Sequence, residues 1–369
     1  MRRWGAALAA LIALAGCGPD AAEPQPHGYV AGAEETAEPQ HRLVLADDSA
    51  VYVLDLITED VTEVARLGGI TGVEGDGRFA YVAHGAGALR VVDSGAWTVD
   101  HGDHVHYYRA APRDLGSVDG RRVLSGDGVV AVSGDGGTRL LDRARLEKGD
   151  ISWLGSVPYE SALPFRDRLY VPVDGGIEVL TREGSPAGRA GECREPRGAA
   201  VTGRGAVFTC SSGALLIGRD DVRTIHPELE WGPAGRAGGL HGRPGSSVLA
   251  GPARNGGVWV LDADAGEWRF LDTGPVTAVA AAGPEEPVLV LTPDGVLRGW
   301  DYASGRQVSE RRLLTRPDER AVIQADQARA YVSDPAGRAV HEIDYRDGLR
   351  RARTFPLGFT PAHLVETGR

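Results

Sequence analysis

The chain has 369 residues, a formal charge of −11 and only 6 % aromatic residues. An acidic chain without a basic run excludes nucleic acid as the expected partner and gives no electrostatic reason to dock on anionic lipid. Ten His and three Cys are few enough that their positions carry information.

The N-terminus reads "MRRWGAALAALIALAGC". Arg2 and Arg3 precede an apolar run, Gly5 to Ala15, that is too short to span a bilayer. Leu14-Ala15-Gly16-Cys17 then has the form of a bacterial lipobox. Residues 1–16 are therefore expected to be a lipoprotein signal peptide, with Cys17 the lipid-bearing first residue of the mature chain. Losing Arg2 and Arg3 moves the formal charge from −11 to −13. Residues 17–40 are rich in Pro, Ala, Gly and Glu and hold no large apolar cluster, which predicts a flexible tether. The chain is thus expected outside the cytoplasm, touching the membrane only through its anchor. In that compartment Cys193 and Cys210 are expected to be joined. The short loop they close corresponds to about 3 kcal/mol.

From residue 41 to 369 the sequence is a succession of short β-prone runs cut by Gly, Asp and Pro, an all-β pattern. One run recurs: "VYVLD" (51–55), "LRVVD" (89–93), "TRLLD" (138–142), "IEVLT" (177–181), "ALLIG" (214–218), "VWVLD" (258–262), "LRGWD" (297–301) and "VHEID" (340–344). The ends of these runs are 38, 49, 39, 37, 44, 39 and 43 residues apart, near the ~40–45 of a four-stranded propeller blade. Each run follows another strand and a tight turn, and a third run with small residues precedes that hairpin, as in "TAVAAAG" and "RAVIQAD". The expectation is a single β-propeller domain over 41–369 with eight blades, or seven given the irregular 49-residue interval. The first repeat lacks an inner strand and the tail holds a spare one, "PAHLVETG", which would close the ring.

Chemistry concentrates in "VDHGDHVHYYRA", where His101, His104 and His106 lie with Asp103 in six residues. In an extended segment His104 and His106 share a face and could chelate one ion; a solvated loop is the alternative. Inside the repeat, His241 and His363 fall on inner strands where Gly72, Ala278 and Ala321 hold the matching place. Packing with water would explain them as well as metal binding. Zn2+ suits a set of His and carboxylate; copper would want Met or thiolate support, and calcium more oxygens. His84, His226 and His341 are expected on turns and strand surfaces in solvated roles, while His27 falls in the tether and His41 at its end. No nucleophile elbow, phosphate loop or dinucleotide fingerprint is found, so no enzyme is expected.

"VDHGDHVHYYRA", the paired "GEC…VFTC", "GGLHGRPGSSVLA" and "HEIDYRDGLRRARTF…TPAHLVETGR" resemble the zinc metallochaperones called AztD, over essentially the whole of residues 41–369. The resemblance implies a secreted β-propeller, monomeric, that binds zinc and hands it to the substrate-binding protein of a zinc ABC importer. In that family a His precedes Gly soon after the first Cys; here "CREPRG" puts Arg197 there, and a cation cannot ligate zinc. Fewer zinc ions than in some relatives are therefore expected. The competing readings are a metal-free propeller platform and a propeller lyase with a channel His as base.

Overall fold

The computed structural model describes residues 32–126, 128–228, 231–316 and 318–369. The expected signal peptide, Cys17, His27 and the first part of the tether lie outside the described residues. No described helix is long and apolar enough to cross a membrane.

The described residues form seven four-stranded antiparallel sheets and two three-stranded ones. The unit is seen in Leu163–Phe165, Arg168–Val173, Gly176–Thr181 and Pro186–Glu192, each strand hydrogen-bonded to the next. Seven of the eight recurring runs fall on the third strand of a four-stranded sheet, counting as first the strand rich in small residues, and the eighth, "VWVLD", on the middle strand of a three-stranded one. The Asp that ends so many of them has a local cause. Asp55 Oδ1 accepts from the N–H groups of Ile57 and Thr58, Asp262 Oδ1 from Asp264 and Ala265, and Asp301 Oδ1 from Ala303 and Ser304. A carboxylate that satisfies two loop donors turns the chain toward the fourth strand. Asp142 does the same job as N-cap of the short helix Arg143–Glu147.

The second strand is buried on both faces, as in Val288–Leu291 and Ala330–Asp334, the third is mixed, as in Gly137–Asp142, and the fourth is largely exposed, as in Arg306–Arg312. The core is accordingly divided into eight clusters, each between neighbouring sheets. Val44, Val51 and Val53 meet Ala80, Val82 and Val92 between the first and second sheets. Leu43, Leu45 and Leu54 meet Tyr331, Val340 and Phe355 between the first and last. Arg42–Ala46 also pairs with the final strand His363–Thr367, with Arg42 opposite Thr367 and Ala46 opposite His363.

Three places differ from the sequence expectation. The sheet Val248–Pro252, Val258–Asp262, Glu267–Leu271 has no regular first strand. His241, expected on such a strand, makes only an isolated bridge to Ala250, because the flanking Gly239, Gly242, Pro244 and Gly245 disfavour extended pairing. Trp231, Trp259 and Trp268 pack edge to face behind that sheet, with centroids 5.0–6.2 Å apart. Second, residues 32–40, assigned by sequence to the flexible tether, contain the strand Glu34–Thr36. It needs no apolar core because polar contacts hold it, including an Arg109–Glu34 ion pair of 2.9 Å and Thr36 Oγ1 donating to Tyr107 O at 3.3 Å. Third, His341 is not solvated: it is 5 % exposed, with Nδ1 3.1 Å from Thr354 Oγ1 and Nε2 3.5 Å from Asp334.

The 49-residue interval is explained by an insertion. Between the third strand of the second sheet, Ala88–Asp93, and its fourth, Arg113–Asp119, a hairpin of Ala96–Asp100 and Val105–Arg109 leaves the blade pattern and pairs with Glu34–Thr36 in a separate sheet.

Candidate metal centre

The inserted hairpin carries the His-rich segment. Asp100 is paired with Val105, and beyond that pair the His101 N–H donates to His104 O at 3.0 Å. Gly102 and Asp103 form the tip. Gly102 has φ +87°, the positive value a two-residue hairpin turn requires at its first position, and its N–H donates to Asp100 Oδ1 at 2.7 Å. His104 therefore sits at the turn and not within an extended run. The register places His101 opposite His104 and Val99 opposite His106, so the three imidazoles share one face.

Their ring centroids are 4.9–5.4 Å apart, and each ring offers a nitrogen within 4.8 Å of the other two. His101 and His104 are exposed and His106 is half-buried. Two of the rings are oriented by carboxylates: His104 Nδ1 is 2.8 Å from Asp103 Oδ1, and His106 Nδ1 is 2.6 Å from Glu35 Oε1. A carboxylate on Nδ1 fixes the tautomer that leaves Nε2 as the electron-pair donor and holds the ring's orientation. Asp103, grouped with the ligands in the sequence reading, thus lies against a ligand ring. Glu35 was not anticipated, since nothing in "AGAEETAEPQ" singles out one carboxylate.

The exposed tip stands on a rigid base. Arg42 Nη1 donates to Ser94 O at 2.8 Å and to Ala110 O at 2.7 Å, clasping both ends of the insertion. Gly95 lies so close to this crossing that a Cβ there would be 2.3 Å from Ala110 O. The Arg78 guanidinium lies 3.7 Å from the Trp97 ring centroid and pairs with buried Asp93 at 2.9 Å, which Arg113 also reaches at 2.6 Å. Burial would raise the Asp93 carboxyl, but the two guanidinium groups outweigh it and hold the pKa below its ordinary value. Thr98 Oγ1 donates to Gly368 O at 2.7 Å, tying the hairpin to the last strand.

The other sequence candidates stand apart from this group. His241 reaches solvent, yet crowding by surrounding chain lowers its pKa. His363 is half-buried opposite Ala46, and desolvation, only partly offset by Asp48, lowers its pKa. Arg197 is exposed near Glu195, 3.8 Å away. Cys193 and Cys210 are joined, with Cα atoms 5.1 Å apart, linking the end of one sheet's outer strand to the second strand of the next. One other set of three close ligand-type side chains occurs among the described residues: His41, Asp326 and Glu366, at the seam between the first and last sheets.

No family model and no curated protein sequence matches the chain. Among solved structures, two of Citrobacter koseri AztD, one of them the apo protein, superpose with TM-scores of 0.76 and 0.75 at 21 % identity, covering 89 % of this chain and 98 % of theirs. Dihydro-heme d1 dehydrogenase NirN in complex with DHE superposes less well, with TM-score 0.56 at 16 % identity over 90 % of this chain and 76 % of its own. The chain shares its fold, over nearly the whole length of that protein, with AztD from Citrobacter koseri.

Proposed function

We propose that this chain is an extracytoplasmic, lipid-anchored zinc metallochaperone of the AztD type, built as an eight-bladed propeller closed by its last strand. Eight core clusters between consecutive sheets, including one between last and first, support the blade count. The observation that carries the function is the exposed hairpin face with three convergent imidazoles, two of them backed by carboxylates.

Zinc is cargo here, not a resident cofactor, and no reaction is assigned. His101, His104 and His106 hold it, each at the ~2.0–2.1 Å of a zinc–imidazole bond. Three protein ligands leave a fourth position open toward solvent, and an incoming ligand takes it before any imidazole lets go. A hairpin tip with an exposed His104 permits that approach; the rigid base keeps the ligands in register while it happens. Asp100, Asp103 and Glu35 beside the imidazoles favour a cation electrostatically. The recipient is the substrate-binding protein of a zinc ABC importer. A lipid on Cys17 would keep the chain near the membrane where that protein works and raise their effective concentration.

The test mixes zinc-loaded chain with apo binding protein at several concentrations. The expected transfer rate rises with partner concentration and exceeds spontaneous zinc loss to a chelator. A flat rate equal to spontaneous loss refutes delivery and leaves a zinc store; no zinc uptake at all refutes both.

A further inference from the structure

The seam between the first and last sheets holds a group that the hairpin site does not use. His41 immediately precedes the strand Arg42–Ala46, Glu366 lies on the final strand opposite Leu43, and Asp326 follows the strand Ile323–Ala325 of the neighbouring sheet. Each offers one ligand-type atom, and the three atoms lie within 4.8 Å of one another.

Their surroundings are unusual for polar groups. The Glu366 side chain is 0 % exposed and that of His41 is 32 % exposed. Glu366 Oε1 and His41 Nδ1 are both buried atoms without a hydrogen-bond partner, although buried polar atoms are nearly always satisfied. They face each other across 3.4 Å, longer than the 2.7–3.2 Å of a nitrogen–oxygen hydrogen bond. Two ligands at the ~2.1 Å zinc distance around a tetrahedral centre stand about 3.4 Å apart. Glu366's other oxygen, Oε2, is already held by Arg369, so Oε1 alone is presented. Asp326 is fixed by a turn, with Oδ1 accepting from the N–H groups of Ala328 at 2.6 Å and Arg329 at 2.5 Å. Two carboxylates meet one guanidinium in a place shielded from water, where a carboxylate is costly unless a cation or a proton partners it.

We propose that His41, Asp326 and Glu366 form a second zinc site, at the junction of the chain's first and last sheets. One imidazole and two carboxylates make a donor set of the kind zinc accepts, too poor in oxygen for calcium. His41 is the half-exposed ligand and marks the side from which the ion enters. Unlike the hairpin site, this one has two ligands buried in the body of the protein, so it exchanges slowly and holds together strands from the two ends of the fold. It does not depend on the hairpin binding zinc.

The test uses the full chain carrying His101→Ala, His104→Ala and His106→Ala, titrated with Zn2+ alone. The expected result is one remaining equivalent, not displaced by excess Ca2+ or Mg2+, and a rise in Tm on zinc addition. Adding Glu366→Gln abolishes both. Because Glu366 is buried, His41→Ala is made in parallel at the half-exposed position, with circular dichroism as the fold control, and is expected to abolish the equivalent as well. A triple variant that takes up no zinc overturns the proposal. So does an equivalent that persists in folded His41→Ala and Glu366→Gln chains. If the wild type binds a single equivalent that the triple variant retains and Glu366→Gln removes, the seam site stands and the hairpin site falls.

Discussion

Glu35→Ala isolates the role of a carboxylate that never touches the ion. Its Oε1 lies 2.6 Å from His106 Nδ1, and the substitution leaves that imidazole free to rotate and to take the other tautomer. Loss of such a partner weakens metal binding by about 10–100-fold. The Glu35 side chain is 43 % exposed, so water replaces part of what it supplies, and the low end applies: about tenfold, or ~1.4 kcal/mol. The assay is competition for zinc with a chromophoric chelator of known affinity, in a His41→Ala background so that only the hairpin site is read. Glu34→Ala is the control. It removes the ion pair with Arg109 from the same strand but no contact with an imidazole, and its affinity should stay within about twofold. An unchanged affinity in Glu35→Ala would refute the argument. An equal loss in Glu34→Ala would mean that docking of the strand, not orientation of His106, is what matters.

The double substitution His104→Ala and His106→Ala should remove one zinc equivalent, measured by elemental analysis, while the far-ultraviolet circular dichroism stays that of the wild type, because the hairpin lies outside the blades. Replacing Cys193 and Cys210 by Ser should cost about 3 kcal/mol in denaturant unfolding, and the wild-type chain should resist thiol labelling until reduced; ready labelling of both Cys in the unreduced chain would contradict the bond. Burial, only partly offset by Asp334, holds the His341 pKa below its ordinary value. The folded state therefore disfavours the proton, so this stability is complete above about pH 6.5 and declines as pH falls through that value toward the lowered one. Urea midpoints of the metal-free chain should fall between about pH 7 and about pH 5, and less steeply in His341→Gln; identical slopes would assign the decline to other groups.

What could be read in the sequence was local. The eight recurring strands were legible because an apolar run closed by a turn residue encodes both a buried strand and its exit, and in six of them that residue is an Asp on the run itself, whose oxygen makes the turn in Asp55, Asp262 and Asp301. The His101–His106 cluster was legible for the same reason: one tight turn assembles it. Glu35 was not, since its pairing with His106 joins residues 71 apart through a three-residue strand of polar side chains. His41, Asp326 and Glu366 meet only because the last strand returns to the first, and none of their local segments stands out. His341 was misplaced because its strand, Ala339–Asp344, is buried on both faces, which erases the alternation that separates inside from outside.

The pairing of the first long strand with the last sets an order of events as the chain folds. Thr367 Oγ1 bonds Arg42 O across 325 residues, and bringing such distant points together in an unstructured chain costs about 5 kcal/mol of loop entropy. Each intervening sheet pairs with near neighbours in the chain and forms without waiting, shortening the effective loop as it does so. Docking of His363–Thr367 on Arg42–Ala46 is then the closing step, and until it happens an apolar strand offers an open edge to other chains. Thr98 reaches Gly368 directly beyond that strand, so the base of the histidine hairpin is completed in the same step that removes the edge.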